Sequence, residues 1–374
     1  MLNKVNAIPE VDSFNVAMDI EDIDYLQLYT GNAKQSVYYL CKLFGFRLKA
    51  YSGLETGNRE TCSYVLEQGD IRLLISSAYS GNHPISECIK NCGEGVRDIA
   101  FRVGDVEKVF HEAVLKGATV IQEPSVETDE FGIYKKAVIG TFGSTVHTLV
   151  ESKNYEGCFA PGFKELHDNY EPAFTGLTRI DHLGICVENM RKWTSFYEEV
   201  LGFSFVNEFK KGEVSSNNSS LMTKVVQNGT ERVKFPIIEP AEGSRKSQIQ
   251  EFLDYNGGAG VQHIALLTDN IIETVDTLQT NGIDFLYTPD AYYKMLEERI
   301  GNIDETIEEL NKYNILADRD EEGYLLQIFG YPVSDRPTLF FEIIQRKGSK
   351  GFGNGNIRAL FESVERVQEQ RGNL

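Results

Sequence analysis

Two imidazoles and a carboxylate carry the strongest chemical potential in this chain: His182 in IDHLGIC, His263 in GAGVQHIAL and Glu342 in PTLFFEIIQ. Each segment is apolar with the alternation of a strand. Two histidines and one carboxylate, with the rest of the coordination sphere open, form the facial set of non-haem Fe(II) oxygenases, and Zn or Mn suit it as well. A single histidine on an apolar strand is more often a satisfied core residue. Glu342 changes that weighing, because strand alternation turns its carboxylate inward among Phe and Ile. A buried, unpaired carboxylate costs several kcal/mol or takes up a proton. A metal ion removes that cost.

The elements that must position these residues occur twice. Residues 23–46 (IDYLQLYTGNAKQSVYYLCKLFGF) match 180–203 (IDHLGICVENMRKWTSFYEEVLGF) without gaps. Asp24 falls on Asp181, Asn32 on Asn189 and Gly45-Phe46 on Gly202-Phe203, but Tyr25 falls on His182. GEGVRDIAF (93–101) matches GAGVQHIAL (258–266), placing Asp98 on His263. STVHTLVE (144–151) laid on PTLFFEII (337–344) places Leu149 on Glu342. One copy of a duplication therefore holds a metal set and the other keeps the fold.

Each half reads as βαβββ twice over, an α+β class in which sheets carry helices on one side. VYYLCKLF and MRKWTSFYEEVL read as helices with Gly45 and Gly202 at the C-cap, and VEKVFHEAVLKG and IIETVDTLQTNG as two more. Gln68-Gly69-Asp70 and Asn228-Gly229 read as hairpin turns. The expected division is 1–152 for the degenerate half, 153–178 for a linker with Pro161, Gly162 and Pro172, and 179–374 for the metal-binding half. The second half is longer, chiefly through 290–317, which is helical in pattern and reads as cover for a functional copy. A Gly-rich turn, GFGNGN (351–356), leads into a helix with Ile357, Leu360, Phe361 and Val364 on one face, expected to dock over the second half.

The chain has 374 residues, enough for two cores. A net charge of −19 argues against nucleic acid or an anionic membrane as partner. No run approaches the ~18 apolar residues of a membrane span, and MLNKVNAIPEVDSF is not a secretory signal, so the expected compartment is the cytoplasm. The six cysteines have no metal-type spacing and read as reduced thiols. His147, His83, His111 and His167 lack metal-ligating neighbours in the pattern. GFGNGN lacks the Lys-Ser/Thr of a phosphate loop and reads as a hinge for the last helix.

These segments, with YSGLETG (51–57), GDIR (69–72), VIQEP (120–124), KSQIQ (246–250), DRDEEGYLLQIF (318–329), RPTLFFEIIQR and the GFGNGN turn, give a resemblance over nearly the whole chain. The chain resembles the 4-hydroxyphenylpyruvate dioxygenase and 4-hydroxymandelate synthase family of the vicinal-oxygen-chelate superfamily. The resemblance implies two open-barrel domains and an Fe(II) held by His182, His263 and Glu342. It also implies a substrate, 4-hydroxyphenylpyruvate, whose own α-keto acid chelates the iron beside O2 and is decarboxylated. Gln248 and Gln327 match the family's pocket glutamines, Phe329 and Phe352 its pocket aromatics, and Asn356 the asparagine of its lid turn.

Two departures bear on the product. The homogentisate-forming members have Phe where this chain has Ile357, and Asn where it has Ile238 in Pro236-Ile237-Ile238-Glu239-Pro240; a family Ser appears as Thr223. Ile at both places reshapes the wall and removes a polar anchor, letting the ring swing so that its benzylic carbon is presented. This favours 4-hydroxymandelate as product, with homogentisate formation in tyrosine catabolism as the alternative. An extradiol ring-cleaving dioxygenase would need a further acid–base His near the metal, and a non-enzymatic binding module would be a single short repeat. The first half is read either as a dimer surface or as scaffold.

Overall fold

The computed structural model describes residues 17–166, 172–209, 220–241, 243 and 245–373. His167 and the segment 1–14 lie outside them. The duplicated sequence folds twice in the same way, down to its caps. The side-chain oxygens of Asn32 and Asn189 accept the Gln35 and Lys192 N–H groups at the starts of helices Ala33–Phe44 and Met190–Ser195. Gly45 (φ 76°) ends the first helix and Gly202 (φ 69°) follows the second, in the left-handed region that a side chain disfavours. The second helix widens into a π turn at Phe196–Val200, within which Tyr197 is fully buried.

Each half is one curled sheet of two βαβββ modules, the first nine-stranded and the second eight-stranded. The extra strand of the first sheet is Lys164–Glu165, paired with the edge strand Arg47–Ser52. The opening strands of the two modules meet antiparallel at the centre: Ile20–Tyr29 with Gly95–Val103, and Leu177–Cys186 with Gly260–Thr268. Val146–Tyr155 and Phe340–Lys347 lie parallel to the second of each pair. This is the α+β, tandem-module fold that the resemblance implied. One apolar core joins the halves, with Leu26, Phe101 and Leu149 of the first packed in the same cluster as Phe235, Leu266 and Phe341 of the second.

The opposite faces of the two sheets differ. In the first half the concavity is filled: Phe159 and Ala160, from the connecting stretch, pack on Tyr25, Val65 and Tyr134. In the second half the concavity stays open beneath the C-terminal helix Asn354–Gln370. That helix docks as expected, although its apolar residues serve two clusters. Phe361 packs with Ile249, Phe252 and Ile238, while Leu360 and Val364 meet Phe329 and Phe340. Full burial of Phe361 alone is worth roughly 1.5–3 kcal/mol. The 290–317 insertion forms short helices Asp290–Lys294, Leu296–Ile300 and Ile307–Lys312. Among the described residues, no helix is long and apolar enough to cross a membrane.

The strand registers correct one pairing. His263 lies opposite Phe340 and Ala265 opposite Glu342. In the first half Asp98 lies opposite Val146 and Phe101 opposite Leu149. The counterpart of Glu342 is therefore Thr148, not Leu149, since a shift of one residue exchanges the faces of a strand. Leu149 points into the shared core. Thr148 points into the first concavity, where its hydroxyl and N–H donate to Asp98 at 2.5 and 2.9 Å, and Tyr25 Oη reaches the same carboxylate at 3.3 Å. The degenerate half thus holds a Tyr–Asp–Thr cluster where the other holds His–His–Glu.

Candidate metal centre

Three adjacent strands bring the triad together. His182 lies opposite Ala265, which lies opposite Glu342, so the two ligands flank a small residue; Gly184, two residues on, lies opposite His263. The ligand atoms all fall within 4.8 Å of one another and the three residues are buried. Glu342 Oε2 is 3.4 Å from His182 Nε2 and 3.8 Å from His263 Nε2, and the imidazole rings stand perpendicular with centroids 5.4 Å apart. Among the described residues this is the one group of three or more His, Cys, Asp or Glu placed to hold a metal ion.

Their surroundings set the protonation that a metal needs. His182 Nδ1 lies 2.8 Å from Asp181 Oδ2, so Nδ1–H donates there and Nε2 is the nitrogen turned toward the site. Burial alone would lower His182, but the Glu342 and Asp181 carboxylates on its two sides outweigh it and raise it, so a metal at Nε2 displaces a proton. Asp181 is in turn gripped by Arg346, Nε to Oδ1 and Nη2 to Oδ2, both at 2.8 Å. Burial pushes the Asp181 carboxyl upward, but the Arg346 ion pair outweighs it and holds it well below the usual range. Arg346 also donates to the Gly351 carbonyl at 2.6 Å and stands 5.3 Å from the Phe352 ring, tying the lid turn to the same ion pair. Burial lowers His263 to about 4, keeping it neutral, and Phe340 stacks on its ring at 5.3 Å. Glu342 Oε1 accepts from Gln327 Nε2 at 2.8 Å. Two imidazole nitrogens and a carboxylate oxygen converging on one point fit a divalent cation.

The space in front of the triad, counted together with its open mouth, is about 550 Å3. Gln248, Gln327, Thr223, Ile238, Phe329, Phe352 and Ile357 all line it. Thr223 and Ile238 form a cross-strand pair, and Ile357 packs on the cluster that contains Ile238. Asn356 stands behind this lining, fully buried, its Nδ2 2.9 Å from Gln327 Oε1. Gln248 Oε1 is buried without a hydrogen-bond partner, a penalty of about 1–3 kcal/mol unless a ligand pairs with it. Sequence reasoning missed Gln262, which also lines the cavity, and Gly184. Both were visible as differences between the repeats, against Arg97 and Gln27. It also missed Asp181 and Arg346. Asp181 is shared with Asp24, so a search for differences passes over it.

Paired βαβββ modules curled around a three-ligand pocket define the vicinal-oxygen-chelate class, and the Glyoxalase/Bleomycin resistance protein/Dioxygenase superfamily model matches residues 22–146 and 179–328. The chain is 42% identical to 4-hydroxyphenylpyruvate dioxygenase of Yarrowia lipolytica, over 94% of this chain and 93% of that one. It is 44% identical to 4-hydroxyphenylpyruvate dioxygenase of Dictyostelium discoideum, over 95% and 100%. A triple variant of 4-hydroxymandelate synthase from Streptomyces coelicolor superposes with a TM-score of 0.84 at 34% identity, covering 94% of this chain and all of that one. The chain belongs to the 4-hydroxyphenylpyruvate dioxygenase family and is a metal-dependent dioxygenase.

Proposed function

We propose that the protein binds Fe(II) through His182, His263 and Glu342 and oxidatively decarboxylates and hydroxylates 4-hydroxyphenylpyruvate with O2, forming homogentisate. The observation that carries this reading is a buried His–His–Glu triad facing a cavity lined by Phe329, Phe352, Gln248 and Gln327, in a chain whose curated relatives at 42–44% identity bear the dioxygenase name. Those names favour the homogentisate branch over the mandelate branch expected from Ile238 and Ile357.

The iron, when bound, supplies Lewis-acid and redox chemistry to the substrate's own α-keto acid and to O2. The chain supplies placement. Phe329 and Phe352 confine the ring. The unpartnered Gln248 oxygen accepts a hydrogen bond from a substrate hydroxyl. The C-terminal helix excludes water by closing the cavity with Ile357 and Leu360.

A second reading, 4-hydroxymandelate as a product, is favoured by Ile238 and Ile357 meeting on one wall of the cavity. After anaerobic loading with Fe(II) and addition of 4-hydroxyphenylpyruvate and O2, chromatography is expected to find homogentisate as the main product, with 4-hydroxymandelate as a side product. Mandelate in excess would overturn the choice of branch. The double variant Ile238→Asn, Ile357→Phe is expected to lower the mandelate share on the order of tenfold, the range open to a reshaped apolar wall. An unchanged ratio would mean that these two residues do not place the ring.

A further inference from the structure

The carboxylate of Glu342 is held by a series of side chains that runs out of the cavity into the 290–317 insertion, and its direction is fixed from the far end. Arg299 is permanently cationic and can only donate. Its Nη2 reaches Tyr292 Oη at 2.7 Å and the Ala317 carbonyl at 2.6 Å. The Ala317 N–H donates to the same phenol oxygen at 2.9 Å. Both lone pairs of Oη are thereby taken. The phenol lies within reach of two acceptors, the Ala317 carbonyl at 2.9 Å and Asn356 Oδ1 at 2.8 Å; the carbonyl is already satisfied by the guanidinium, whereas Asn356 Oδ1 has the phenol as its donor. Its single proton is left for Asn356. With its carbonyl filled, Asn356 turns its NH2 to Gln327 Oε1 at 2.9 Å, and Gln327 turns its NH2 to Glu342 Oε1 at 2.8 Å. Every donor points toward the carboxylate, and no amide can flip without leaving its neighbours mismatched.

Packing holds the series closed. The Arg299 guanidinium lies over the Tyr292 ring at 4.8 Å. A Cβ on Gly355 would come within 2.9 Å of Arg299 Nη1, and one on Gly353 within 3.0 Å of Gln327 Oε1. Gly353 and Gly355 therefore let the first turn of the C-terminal helix close onto Gln327 and Arg299. This is a stronger requirement on the motif than the hinge expected from sequence.

We propose that Tyr292 and Arg299 are positioning residues for the metal carboxylate. They fix Glu342 Oε1 as a hydrogen-bond acceptor, leave Oε2 for the metal, and make that arrangement conditional on a seated C-terminal helix. The inference rests on the metal-binding reading of the triad and is independent of substrate and product.

Tyr292→Phe keeps the ring and removes only Oη. Asn356→Asp accepts from Tyr292 but cannot donate to Gln327. Tyr293→Phe is the control, because its buried hydroxyl lies outside the series, on the side of Thr288. In anaerobic titration with Co(II), followed by its absorbance, the dissociation constant is expected to rise about tenfold to a hundredfold in the first two variants and to stay unchanged in the control, the range typical of lost partners to metal ligands. Amide exchange over residues 354–360 is expected to quicken in Tyr292→Phe while the far-UV circular dichroism stays that of wild type. Wild-type Co(II) affinity and exchange in Tyr292→Phe would overturn the inference. If wild type bound no Co(II), the metal reading beneath it would fall too. Wild type that binds Co(II) but does not turn over 4-hydroxyphenylpyruvate would contradict only the proposed substrate.

Discussion

Gly184→Ala is expected to abolish metal binding while leaving the fold intact. A Cβ at position 184 would lie 1.9 Å from His263 Cε1 and 2.4 Å from its Nε2, so the imidazole could not stay where it is. It can move only toward the cavity, out of its ligating position. Gly184 and His263 are register partners on neighbouring strands, Phe340 stacks on the ring at 5.3 Å, and the His182 ring stands at 5.4 Å. The backbone at Gly184 is not left-handed, so alanine itself introduces no strain there. The whole effect therefore falls on the ligand. Losing an outer partner of a metal ligand typically costs 10–100-fold in affinity, and displacing the ligand should cost more than about 100-fold. Anaerobic titration with Fe(II) or Co(II) measures this, alongside circular dichroism of the metal-free protein. Near-native affinity in Gly184→Ala would show that His263 has another rotamer compatible with the site. Activity is expected to fall in parallel with metal occupancy.

The same pair shows what was legible in the sequence. The ligands stood out because Tyr25 and Asp98 occupy the places of His182 and His263. The partner change was equally visible, since Gln27 stands where Gly184 does, yet a glycine carries no chemistry of its own and its meaning is purely spatial. Glu342 was found by type and burial rather than by alignment. Its counterpart was misjudged by one residue because the two last strands share little beyond apolar character, and nothing local distinguishes Thr148 from Leu149. Strand alternation decides it, and alternation needs a register that only the sheet supplies. The closing of the first barrel by Phe159 was illegible for a different reason. That stretch is rich in Gly and Pro, which marks loops, and loops give no periodicity from which to read burial. Tyr292 and Arg299 were hidden in an insertion that the first half lacks, where comparison between repeats has nothing to compare. Arg346 lies four residues beyond Glu342, and its role depends on a partner, Asp181, brought across from a strand at the other end of the half.

A pH-dependent loss of stability is expected to centre on His147, the histidine that sequence reasoning left without a function. It is fully buried between the halves. Its Nδ1 lies 2.9 Å from the Ile99 carbonyl and must donate, so Nε2 accepts from Tyr197 Oη of the second half, also at 2.9 Å. Phe101 stacks on the ring at 4.4 Å, and Phe235 lies nearly parallel to it at 6.4 Å. Burial lowers His147 from 6.5 to about 4 in the folded protein. Between these two values the unfolded chain binds the proton and the folded chain does not, so stability falls as pH drops from 6.5 toward 4 and is level above 6.5. Over the full window the effect is roughly 3 kcal/mol, of which about 2 kcal/mol is reached by pH 5. Asp98 acts in the opposite sense. Burial raises it to about 6, so its protonated form favours the fold below that pH and the stability is lost as pH rises through 6. His263, also lowered by burial to about 4, adds to the His147 effect in the metal-free protein while Asp98 opposes it, so a variant is needed to isolate His147. His147→Phe fills the same apolar slot but removes a partner from the Ile99 carbonyl and leaves the Tyr197 hydroxyl only Thr141 Oγ1 at 3.4 Å, a defect that does not titrate in this range. Its destabilisation relative to wild type, measured by urea unfolding, is expected to be about 2 kcal/mol smaller at pH 5.0 than at pH 7.5, because only wild type loses the neutral histidine. Equal destabilisation at both pH values would mean that His147 protonates without cost, and that the interface between the halves is open enough to admit the charge.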